Sequence, residues 1–150
     1  MNRTAIPFLV IGGLGILAGG FLSAISAAAP SYLAAWAVAY LVLVVGFAQL
    51  LLGIGQDQLA VRRPSGRLVA AEVLTFNLAN VAVLAGSLTS IVVLTWIGAA
   101  LIVVAMALFI WAARGCGGRH RWLLYLFRAM IVILLVSAPI GIVLAHSRMG

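Results

Sequence analysis

Acidic residues are almost missing from this chain. Glu72 and Asp57 are the only two in 150 residues, and there is no lysine at all. That scarcity excludes the chemistries that set a pair of carboxyl groups against one bond. Cysteine occurs once, at Cys116, so no internal disulfide can form. His120 and His146 fall at opposite ends of one apolar run and cannot jointly hold a haem within one chain. Cys116 and His120 share the segment "RGCGGRHR", but a zinc site needs more ligands than that. There is no phosphate-binding loop, no nucleophile beside a base and no aromatic platform for a nucleic acid. The residues therefore read as a non-catalytic protein with no cofactor, no metal and no nucleic-acid partner.

What the chain has is apolar surface. Sixty-six per cent of its residues are hydrophobic, its mean hydropathy is +1.29 and only 7% are charged. A soluble core of this size cannot hide so much, so the solvent is lipid. We expect an all-α fold: a polytopic transmembrane helical bundle forming a single domain over 1–150. About 20 apolar residues cross the hydrocarbon, which places five spans near 6–28, 32–55, 68–88, 91–113 and 122–145. The third and fourth are continuous in sequence. As one helix they would run about 69 Å, twice a bilayer, so a turn at "GSLTS", 86–90, must fold them back. The first span begins with a basic residue and ends in small ones, like a secretory signal. Its apolar stretch is too long for one, and Pro30 follows the obvious cleavage site, so it is expected to stay as a span.

Arginine sets the direction. Arg3, Arg62, Arg63, Arg67, Arg114, Arg119 and Arg121 all fall on one side of such a bundle, and Arg148 alone on the other. Positive charge stays inside, giving an N-in, C-out topology in a bacterial cytoplasmic membrane. The arginines of the two inner loops, Arg62, Arg63, Arg67, Arg114, Arg119 and Arg121, are the expected contacts for anionic lipid headgroups. Trp36 and Trp96 fall toward the outer interface, and Trp111 and Trp122 toward the inner one, as amphipathic rings prefer.

Three features inside the spans ask for partners. Glu72 lies in the third span, and a membrane-buried charge costs a few kcal/mol or more, so it should face inward and pair. Arg128 in the fifth span lies at matching depth and is the expected counter-ion. Gln49, Asn77 and Asn80 complete an expected buried polar cluster. On the wheel of the third span, Glu72, Thr75, Phe76, Asn80, Gly86, Ser87 and Ser90 share an arc of about 140°, with Leu74, Leu78, Val81, Ala85 and Leu88 opposite. In the first span, Gly12, Gly15 and Gly19 form one narrow face for close helix packing. Pro139 should kink the fifth span near its outer end.

Two functions fit these features. The first is an accessory or scaffold subunit that joins a larger membrane protein, or a second copy of itself, through the glycine face and the polar face. The second is a small oligomeric transporter or channel whose path is lined by the Glu, Asn and Arg residues.

Overall fold

Ser31 and Ser65 mark two of the helix starts. Each follows a proline, holds an extended backbone and accepts a hydrogen bond with its hydroxyl: from the Ala34 N–H at 3.1 Å and from the Leu68 N–H at 3.3 Å. These are N-caps, which satisfy donors that the first helical turn leaves free. In a computed structural model of the chain, residues 4–59, 64–112, 124–125, 127–134 and 136 are described, and every regular element among them is helical. They are α1 (Ile6–Ser26), α2 (Tyr32–Tyr40), a π-helical stretch (Leu41–Ala48), α3 (Gln49–Leu59), α4 (Gly66–Thr89) and α5 (Val92–Ala112). α2, the π stretch and α3 run on as one helix, Tyr32–Leu59.

Four helices are long and apolar enough to cross a membrane: Ile6–Ser26, Tyr32–Leu59, Gly66–Thr89 and Val92–Ala112. They match the first four expected spans to within a few residues. The second runs four residues past its expected end, and this moves Asp57 from the expected loop into α3. Arg67 likewise stands in the first turn of α4 rather than in a loop, with its side chain exposed. The fifth span is helical at its described residues. Its outer half with Pro139 and His146, the loop with Cys116 and His120, Trp122, and Arg3, Arg62, Arg63, Arg114, Arg119, Arg121 and Arg148 lie outside the described residues.

The chain divides into two compact units, residues 1–58 and 59–150. The first is an antiparallel helical hairpin closed by small residues. A Cβ placed on Gly12 would stand 2.9 Å from the Gly46 carbonyl oxygen. On Gly15 it would meet Val45, on Gly19 Val42, and on Gly53 Phe8. At Gly12 and Gly46 neither helix carries a side chain, which lets the two backbones come this near. The expected glycine face of α1 is therefore spent inside the chain, against its own second span, and is not an outward docking face.

The second unit is built around α4 and α5, joined by only Ser90 and Ile91. Ser90 has φ 60°, and both its N–H and that of Ile91 (2.9 Å) reach back to the Gly86 carbonyl. This left-handed residue closes the helix. Gly86 is not itself in the turn, as the sequence had suggested. It lies in α4, where an added Cβ would meet the Thr95 amide nitrogen at 2.6 Å. Gly98 sits as tightly against Val83 and Ala79. Farther from the turn, Phe76 and Phe109 meet edge to face at 6.4 Å, with Met106 beside them in the buried core. The hairpin is thus closed by glycines near its turn and by aromatic rings farther along.

Candidate functional site

The burial pattern of α4 follows its wheel. Glu72, Phe76, Ala79, Asn80, Ala82 and Gly86 are buried, while Leu74, Leu78 and Val81 are about three-fifths exposed. Glu72 is fully buried and Asn80 nearly so, and neither is left without an interaction. Eight residues separate them, about 12 Å along the helix, with Phe76 between. Asn77 is only half-buried. Its Nδ2 donates to the Val73 carbonyl at 2.7 Å, four residues back, so its amide serves its own helix rather than a neighbour.

Arg128 departs from expectation. Phe127 and Ile131, four residues apart, turn one face of the last helix inward, and Arg128 falls off that face and is exposed. A long guanidinium side chain can hold its head toward water while its stem lies on apolar surface, whereas an aromatic ring gains only from burial. The ring has taken the inner face. The buried polar cluster of this unit is thus Glu72 and Asn80, without Arg128 and with Asn77 at its margin.

In the first unit the polar interior belongs to α3. Gln49 is fully buried, as expected, and Gln56 is 96% buried, which was not expected. The two are seven residues apart and so share a face, in the middle of the arc that also buries Leu52 and Gly53. Gln56 is engaged. Gln49 is not: both its Nε2 and its Oε1 are shielded from solvent and have no hydrogen-bond partner among the described residues. The same holds for Oδ1 of Asp57, whose residue is otherwise half-buried. The signal for Gln56 was the series Gly46, Gln49, Gly53, Gln56, which alternates steps of three and four. A nominal span end at residue 55 concealed it.

The π-helical stretch was also unforeseen. A π turn takes up one residue more than an α turn, so each such turn rotates the remainder of the helix by about 100° relative to an unbroken α-helix. It therefore sets which face α3 turns inward and puts Gln49 on that face. A hydrophobic pattern read at one fixed period cannot detect such a change of phase.

The outside of both units is apolar. On α1, Val10, Leu14, Leu17, Phe21 and Ile25 form an exposed stripe at steps of three and four. Trp96 and Trp111 stand exposed near the two ends of α5, roughly 22 Å apart by helix rise. Amphipathic rings near both ends of a spanning helix are the usual arrangement at the two membrane interfaces. Compared with known proteins, the chain matches no family model, no curated protein and no solved structure.

Proposed function

We propose that this chain is a small, non-catalytic transporter or channel of a bacterial cytoplasmic membrane, lying N-in and C-out, which handles a small polar solute. One observation carries the reading: polar side chains are kept inside both units while the outside is apolar. Gln49, Gln56, Glu72 and Asn80 are all at least 96% buried. Polar groups at membrane depth weaken a fold unless something answers them, and they commonly mark solute or ion paths. Exposed Arg67, at the start of α4, fits a place among anionic headgroups on the cytoplasmic side.

The accessory-subunit reading keeps one support. The apolar stripe of α1 lies opposite the glycine face and would suit a partner helix as well as it suits lipid. The two faces that first suggested a partner are less suited to one. The glycines are packed within the chain, and the polar face of α4 is buried.

Native mass spectrometry from a mild detergent, at native expression level, separates the two. A monomer or homo-oligomer with no second protein, which passes solute when reconstituted alone, is the expected result. A stoichiometric second protein, with no flux through this chain alone, would overturn the proposal in favour of the accessory role.

A further inference from the structure

Among the described residues, Gln49 is the buried side chain whose amide lacks a hydrogen-bond partner at both its nitrogen and its oxygen. An amide offers two donors and an acceptor oxygen. In hydrocarbon each unsatisfied group costs free energy, which is why buried polar atoms are nearly always bonded. Methionine has the same length and no such cost, so packing alone does not call for glutamine here. The π stretch Leu41–Ala48 ends at this residue and turns it inward. Gly46 and Gly53 flank it by about one turn on either side, and both are filled from α1, by Ile16 and by Phe8. They leave the amide as the polar feature between two packed crossings.

We propose that Gln49 is the recognition group for a small, uncharged, hydrogen-bonding solute held within the second span. This rests on the transport reading and names its substrate class. The absence of charge follows from the surroundings. Between residues 4 and 58 the only charged side chain is Asp57. It lies eight residues on, about 12 Å by helix rise, too far to offset a full charge at Gln49. A neutral molecule with both a donor and an acceptor matches the amide without that cost. Asp57 also adds a second unpartnered oxygen, Oδ1, at the end of α3. Gln49, Gly53 and Asp57 succeed each other at four-residue steps, so the two groups lie along one side of the helix.

The test uses the full chain in vesicles of phosphatidylethanolamine and phosphatidylglycerol, with glycerol and urea as probes and swelling monitored by light scattering. Wild-type vesicles should swell several-fold faster than protein-free ones, and Gln49→Met should bring the rate down to the protein-free level. Unchanged swelling in Gln49→Met, with a raised melting temperature, would overturn the inference: the amide would then be a static cost that methionine relieves. If Gln49→Met fails to insert, Gln49→Asn decides. A shifted ratio of glycerol to urea rates supports the recognition role, and an unchanged ratio overturns it. Wild-type vesicles as tight as protein-free ones would instead overturn the transport reading itself.

Discussion

The sequence suggested Glu72 and Arg128 as an ion pair at matching depth, yet they sit in different environments, and that difference has consequences for each. Arg128 is exposed, so Arg128→Gln should change stability by no more than about 0.5 kcal/mol, the usual range for a surface substitution. Glu72 is fully buried and engaged, so Glu72→Ala should cost about 1–3 kcal/mol, because its neighbours lose a partner in a place water does not reach. Thermal unfolding of the two variants in detergent checks both values. Equal losses would restore the ion pair that the sequence suggested. The inward position of Glu72 and Asn80 was legible because helical periodicity fixes a direction on the wheel. The position of Arg128 was not, because depth along the membrane says nothing about rotation. Burial of Phe127 and Ile131 decided that rotation, and a competition among side chains on one helix is settled by packing.

At the scale of the element, the glycines divide into two kinds that look alike in sequence. Gly12 and Gly98 face backbone atoms closer than 3 Å from an added Cβ, and backbone cannot yield as a flexible side chain can. Gly12→Ala and Gly98→Ala should each destabilise by about 1–3 kcal/mol through overpacking. Gly13 and Gly20, on the same helix as Gly12, have nothing within 4 Å. Gly13→Ala and Gly20→Ala should instead stabilise α1 by up to about 1 kcal/mol, since alanine is the better helix former. Melting temperatures of the four variants should therefore split in sign, and a uniform shift would contradict the packing described. Ser90, at φ 60°, carries a conformational cost that glycine does not, so Ser90→Gly should stabilise the α4–α5 turn by about 0.5–1 kcal/mol in the same assay. The glycine face of α1 was readable as a face; its partner was not. Close helix crossings in one chain and between chains use the same small residues, so only the fold tells them apart. The turn showed the opposite weakness. Glycine drew attention to position 86, while the left-handed residue is a serine four places on.

For the whole molecule, length and hydropathy were enough to place four helices to within a few residues, because bilayer thickness and backbone hydrogen bonding leave a spanning segment few options. They were not enough to foresee the π-helical stretch, and a span end set at residue 55 hid the burial of Gln56. Each of the two units keeps polar side chains inside, Gln49 and Gln56 in the first and Glu72 and Asn80 in the second, with exposed apolar side chains outside. A transport role requires that water or solute reach such an interior. The most direct test replaces Cys116 with Ser, introduces single cysteines along α4, and measures their labelling in membranes by a small, water-soluble methanethiosulfonate reagent. A transport path predicts labelling at position 80 on the buried polar face and none at 74, 78 and 81 on the exposed apolar face. Position 80 left as unreactive as those three would contradict such a path, because the polar residues would then be sealed structural bonds between helices and not its lining.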